Sequence, residues 1–200
     1  MAKRDVLWVE RKDQLETASS PVRFEIIDRL SAMGPLSVRD LAAAIGRRPT
    51  SIYHHLRQLE AVGLIRQAEV EASAEGGEPG RPAVLYETVA PLIRLARAAK
   101  DPANRETMTQ AARSMTQIAA RDYAKGFDAA AWTTEGKGRN HWFFRVVSTP
   151  SPERLARINA LLDEVVELLW TPDPNPGPPV SLAGILAPAG KARRKAISRS

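Results

Sequence analysis

The chain has 200 residues, no cysteine, 29 lysines and arginines against 23 aspartates and glutamates, and 44% hydrophobic residues. That is enough apolar material for one or two compact domains, and it excludes a collagen-like, disulfide-stapled or wholly disordered chain. With no thiol there is no cysteine nucleophile and no cysteine-ligated zinc or iron–sulfur centre.

No apolar run approaches the roughly 20 residues needed to span a bilayer, and the N-terminus lacks the unbroken apolar stretch of a signal peptide. The expectation is a cytoplasmic protein without a membrane partner. The isoelectric point near 10.0 invites a nucleic-acid reading, but the net charge of +6 is unevenly placed. Residues 21–91 carry eight basic and nine acidic groups, whereas 191–200 carry five basic and none acidic. Bulk charge therefore decides little, and the argument rests on where particular arginines fall.

Residues 1–19 read as an N-terminal arm. The first strong helix opens at Ser20, an N-cap, with Pro21 at the first helical position. Its apolar residues Val22, Ile26, Ile27, Leu30 and Met33 recur at three- and four-residue spacing until Gly34-Pro35 stops it. Leu36 is a candidate for a very short strand. Ser37 and Asp40 then resemble a capping box that opens a second helix, with Val38, Leu41, Ala42 and Ile45 inward and Gly46 as its left-handed terminator. Arg47-Arg48-Pro49 makes a turn, and a third helix buries Ile52, Leu56, Leu59 and Val62 before Gly63.

Residues 64–71 and 82–88 have strand composition and flank a Gly- and Pro-rich stretch, so they predict a hairpin with a long, flexible tip. From Val89 the pattern predicts a linker helix to about Lys100. A longer helix follows from about Ala103 to Phe127, with Met108, Ala112, Met115, Ala119 and Tyr123 as its stripe. Residues 128–148 are read as a loop followed by extended chain. Ser151-Pro152-Glu153 then opens a helix to Trp170, whose Leu155, Ile158, Leu162, Val165 and Leu169 are spaced as a heptad seam. Residues 171–200 read as a disordered Pro-rich linker and basic tail.

Helix, short strand, helix, tight turn, helix and hairpin is the order of a winged helix-turn-helix domain. The segments Pro21-Val22-Arg23, Ser37-Val38-Arg39-Asp40-Leu41-Ala42 and Thr50 through Leu59 with Gly63-Leu64-Ile65, together with Gly80-Arg81-Pro82 and Tyr86, resemble the ArsR-like winged-helix transcriptional regulators. The resemblance covers about residues 20–90. It implies a mainly α fold with a small β-hairpin, a winged helix-turn-helix domain at 20–90 and a helical dimerisation region at 91–170, acting on a near-palindromic operator.

A major groove admits one α-helix, so a reading helix needs short polar residues near its N-terminus on the face opposite its packing residues. Thr50, Ser51, Tyr53, His54 and Arg57 occupy that face. Arg47 and Arg48 flank the helix start, where amide groups and the helix dipole already favour phosphate. Arg81 at the wing resembles arginines that enter an adjacent minor groove. Glu69, Glu71, Glu75 and Glu78 on the same hairpin oppose it. The rival reading from another class is a winged-helix protein-interaction module without specific DNA binding.

His54 and His55 point about 100° apart on a helix and have no evident further ligands, so no metal is expected and His55 reads as a packing residue that hydrogen-bonds locally. Seven of the eleven aromatics lie in 123–170. They read first as core or dimer interface, with a small apolar effector pocket as the alternative. No catalytic constellation or phosphate loop has the spacing that chemistry requires, so neither an enzyme nor a cofactor is expected.

Overall fold

The computed structural model describes residues 5–68, 84–129, 131–171, 173–175 and 177–189. Its elements in chain order are β1 (Val6–Trp8), α1 (Lys12–Ala18), α2 (Pro21–Met33), β2 (Leu36–Ser37), α3 (Val38–Ala44), α4 (Pro49–Ala61), β3 (Ile65–Ala68), β4 (Leu85–Thr88), β5 (Leu92–Arg94), α5 (Arg105–Gly126) and α6 (Pro152–Trp170). Two compact units divide the chain, Met1–Arg121 and Asp122–Ser200.

In the first unit α2, α3 and α4 enclose a core in which Ile26, Leu30, Leu41, Ile52, Leu56, Leu59 and Leu64 are almost wholly shielded from solvent. Burying each such side chain contributes about 1.5–3 kcal/mol against the entropy lost on ordering the chain. Ser37 caps α3 by accepting from the Asp40 amide at 3.2 Å, while its hydroxyl donates to Asp40 Oδ2 at 2.6 Å. The Ser37 half of the box read from the sequence is therefore formed, while the Asp40 carboxylate takes the Ser37 hydroxyl.

Two short sheets complete this unit. Antiparallel β4 lies between β2 and β3, with Leu36 opposite Tyr86 and Arg66 opposite Glu87. The hairpin and the short strand at Leu36 match the sequence expectation, although the hairpin tip lies outside the described residues. The second sheet does not: β1 pairs in parallel with β5, Val6 opposite Leu92 and Trp8 opposite Arg94.

Three expectations are corrected here. Residues 6–18, read as an arm, form β1 and α1, and Val9, Leu15 and Ala18 sit in the core. The linker helix from Val89 is replaced by β5 and two short 3-10 turns, Ala96–Lys100 and Pro102–Asn104. Strand pairing with a segment some 86 residues away overrides local periodicity at Leu92–Arg94, and Arg97 stacks on Trp8 at 4.1 Å to the ring centre. On α5 the buried residues are Ala111 and Ser114, while Met108, Ala112, Met115 and Ala119 are half-buried. Ser114 tolerates full burial because its hydroxyl donates to the Ser19 carbonyl at 2.7 Å.

In the second unit His141 is shielded among aromatic rings, stacked on Tyr123 at 4.1 Å and edge-on to Phe127 at 4.2 Å. Residues 140–151 contain no helix or strand, and Phe143, Phe144, Val146 and Val147 are exposed. The helix α6 starts as its sequence indicates, with Ser151 accepting from the Arg154 amide at 3.3 Å. None of its residues is buried. No described residue between 173 and 189 belongs to a helix or strand, and 190–200 lie outside the described residues.

Candidate nucleic-acid interface

The turn into α4 is built by backbone hydrogen bonding. Ile45 ends α3, Gly46 takes a left-handed φ of 67°, its amide donates to Ala43 O at 3.1 Å, and the Arg47 amide donates to Ala42 O at 2.8 Å. That paired pattern is a Schellman motif, which glycine alone completes without steric cost. It leaves Arg47 and Arg48 on the outside of the turn, both exposed, with Pro49 beginning the next helix. The far end of α4 closes the same way: Gly63 has φ 71°, its amide donates to Glu60 O, and that of Leu64 donates to Leu59 O. Both leucines are fully buried, which supplies the apolar contact that accompanies this motif.

Between those ends α4 is two-faced. Ile52, Leu56 and Leu59 are buried, whereas Thr50, Ser51, Tyr53, His54 and Arg57 are exposed. Side chains three, four and seven positions apart share a face at 3.6 residues per turn, which gathers Ile52, Leu56 and Leu59 on one side and leaves the polar residues on the other. The hydroxyl of Ser51 donates to Arg48 O at 2.7 Å, so its proton is engaged locally and its lone pairs remain to accept. Seven of the eight residues expected to meet a duplex therefore lie together on one open surface. The eighth, Arg81, lies outside the described residues, as do Glu69, Glu71, Glu75 and Glu78.

Charge on the hairpin is partly balanced within it. Arg66 Nε lies 2.7 Å from Glu87 Oε1 across the β3–β4 pair. Tyr86 is buried beneath this region, and burial, followed by the nearby charge of Glu60, pushes its phenol above the ordinary value.

Residues that hold α4 were not apparent from the sequence pattern. Arg23 on α2 donates from Nη1 to Gln58 Oε1 at 2.6 Å and from Nε to Thr17 O. Gln14 on α1 donates to Val62 O at 2.9 Å. These are contacts between elements, which no local periodicity encodes.

His55 differs from expectation in one respect. It is half-buried against the fold, but its Nδ1 is buried without a hydrogen-bond partner. Burial foremost, then the positive charge of Arg23 and the neighbouring His54 and Arg47, lowers its pKa below the ordinary value. The His54 and His55 rings lie 5.8 Å apart and edge-on. Among the described residues no group of three or more His, Cys, Asp or Glu could hold a metal ion.

Residues 18–68 match a family model described as a helix-turn-helix domain. This span begins at the end of α1 and closes on β3, and it includes the whole surface just described. The first unit contains a winged helix-turn-helix fold. Three solved structures are similar at low identity. The crystal structure of RV1404 from Mycobacterium tuberculosis is 15% identical, with 82% of this chain and 85% of that chain covered and a TM-score of 0.31. NMB1585, a MarR family regulator from Neisseria meningitidis, is 14% identical, with 74% of each chain covered and a TM-score of 0.28. The transcriptional regulator Tm0710 from Thermotoga maritima is 12% identical, with 78% of this chain and 85% of that chain covered and a TM-score of 0.31. Among curated proteins none matches at a significant level.

No helix among the described residues is long and apolar enough to cross a membrane. A cleft of about 550 Å³ lies beside the helix-turn-helix, lined by polar and charged side chains including Glu16, Ser20, Arg23, Glu106 and Arg113.

Proposed function

We propose that the chain is a transcriptional regulator that binds double-stranded DNA through α4, with residues 20–90 as the reading domain. The observation that carries this is the two-faced α4: its apolar face is consumed by the core, while hydroxyl, imidazole, phenol and guanidinium groups are exposed on the other. In this reading Arg47 and Arg48 contact phosphates and fix the register, and Thr50, Ser51, Tyr53 and His54 read base edges. Arg57 reaches the backbone or a guanine further along, and Arg81 serves the minor groove beside the wing.

The chain works as a homodimer in the cytoplasm on a near-palindromic operator, with residues 91–170 supplying the contact between copies. Two reading helices then meet successive major grooves about 34 Å apart. Kinship with the ArsR-like regulators rests on the motif residues of α2, α3 and α4.

Fluorescence anisotropy against duplex DNA across a salt series tests the reading. Each phosphate contact adds about 0.9 to the slope of log affinity against log salt, so an Arg47→Ala, Arg48→Ala double variant reduces that slope by about 1.8 per reading domain. The same pair is measured in a chain ending at residue 190, which removes the basic tail. An unchanged slope transfers the assignment to an interaction module that retains the winged scaffold without specific DNA binding.

A further inference from the structure

Residues 136–152 hold Lys137, Arg139 and Arg145 and not one aspartate or glutamate. All three cations are exposed, and among the described residues no carboxylate pairs with them. Interleaved with them stand Trp142, Phe143 and Phe144, exposed by 45%, 81% and 67%. Open rings set among unpaired cations suit an anionic partner with flat apolar faces.

The root of this strip is fixed in place. Asn140 donates from Nδ2 to Ala131 O at 3.0 Å and accepts from the Thr133 amide at 2.9 Å. The His141 amide donates to Thr133 O at 3.1 Å, and its buried ring lies on Tyr123. Around that root, Arg139 Cζ lies 4.4 Å from the Trp142 ring centre, and the Phe144 ring lies 4.8 Å from Trp142 at only 15°. With one face on Trp142, a Phe144 ring still 67% exposed turns its other face to water.

We infer that Arg139, Trp142 and Phe144, flanked by Lys137 and Arg145, form a stacking site for unpaired nucleotides of a single-stranded nucleic acid. A nucleobase supplies the flat face that continues the row, and the phosphates supply the charge. Val146 and Val147, also exposed, extend the strip with aliphatic surface for sugar rings. In a duplex each base is already covered on both faces, so this strip takes unpaired bases, whereas the surface proposed on α4 takes paired ones. Two other occupants fit less well. A second copy of the strip would set three cations against three. A bilayer would draw in Arg139 together with the ring it covers, and a guanidinium in hydrocarbon is costly.

This site is independent of the duplex reading. Full-length protein is titrated with a fluorescein-labelled oligothymidine of about 12 nucleotides, followed by anisotropy and by tryptophan emission. The wild type binds, and its emission is quenched. Phe144→Leu weakens binding at least about fivefold while Phe144→Tyr retains it, because stacking and not apolar bulk is lost. Trp142→Phe keeps the affinity and loses most of the quenching. Duplex affinity is unchanged in all three, and circular dichroism confirms their fold. The Arg47→Ala, Arg48→Ala variant shows the reverse, losing the duplex and keeping the oligonucleotide. Chains ending at residue 190 give the same ratios, which excludes the basic tail. An oligouridine of equal length distinguishes RNA from DNA as the source of the strand.

A protein that binds the oligonucleotide through Phe144 and no duplex loses the α4 reading and keeps this one. Absence of binding by the wild type, or equal binding by Phe144→Leu, overturns the stacking site. So does a strip that ignores the oligonucleotide and instead supports co-sedimentation with phosphatidylserine vesicles, or self-association, lost in Phe144→Leu.

Discussion

Arg23 reaches from α2 across to α4, where its Nη1 lies 2.6 Å from Gln58 Oε1, while its Nε is held by the Thr17 carbonyl. One guanidinium thus joins the end of α1, the start of α2 and the body of α4. The orientation of α4 consequently depends on a polar tie as well as on the apolar seam of Ile52, Leu56 and Leu59.

Replacing Arg23 by Met retains much of its stem and deletes both hydrogen bonds. The expected cost is about 1–2 kcal/mol in urea unfolding. DNA affinity falls as α4 loosens, but the salt slope stays within error of wild type, since Arg23 is tied within the fold and not to phosphate. A double-mutant cycle with Gln58→Ala gives a coupling energy of about 1 kcal/mol. A slope that drops by about one would identify Arg23 as a phosphate contact instead.

The depressed pKa of His55 has a defined sign in stability. The unfolded chain holds this imidazole near its ordinary value of about 6.5, and the folded chain binds the proton only at lower pH. Between those values the unfolded state carries more protons, so stability is fully present above about pH 6.5 and is lost as pH falls through the window to the folded pKa. Thermal unfolding from pH 8 to pH 5 should show His55→Leu losing less stability than wild type over this interval. Parallel curves for the two proteins would contradict it.

Glu25 is almost wholly buried and is gripped by Arg121, Nη2 to Oε1 at 2.6 Å and Nη1 to Oε2 at 3.0 Å. Removing the cation strands a carboxylate in the protein interior. Arg121→Met is expected to destabilise the fold by about 3 kcal/mol, near the low end for a broken buried pair because the guanidinium is partly solvated. Combining it with Glu25→Leu should recover much of that loss, since a well-packed apolar pair carries no desolvation penalty. Chemical denaturation of the four proteins measures both terms.

Gly126 is fixed by His141. A Cβ at this position would stand 2.7 Å from Nδ1 and 2.8 Å from Cε1 of the buried ring, closer than side chains tolerate. Gly126→Ala should therefore expel His141 from its stack with Tyr123 and cost about 1–3 kcal/mol by overpacking. Tryptophan fluorescence of Trp132, which lies 5.6 Å from the same ring, reports the change. An unaltered spectrum and unaltered stability would show that the ring is free to move.

Much of the helix-turn-helix was legible because its determinants are local. The 3.6-residue spacing of Ile52, Leu56 and Leu59 specifies which side of α4 faces inward, and glycine at 46 and 63 supplies the left-handed backbone that ends α3 and α4. The open face at Thr50 through Arg57 follows from that spacing without further information. Where a segment's state depended on a distant partner, local signals failed. Leu92–Arg94 carries no mark distinguishing a strand from a helix turn until Val6–Trp8 is placed beside it. The buried side of α5 was likewise hidden, because a serine occupies its deepest position and is satisfied by a carbonyl 95 residues earlier.

The amino-acid order alone thus determined α2, α3 and α4, the glycine turns that end α3 and α4, the hairpin strands and the polar stripe of α4, since each depends on residues within a few turns of one another. Tertiary structure decided the parallel pairing of β1 with β5, the Arg23 and Arg121 ties and the enclosure of His141. Those features need groups from remote positions to meet, and a hydrogen bond or ring stack between them leaves no period in the chain.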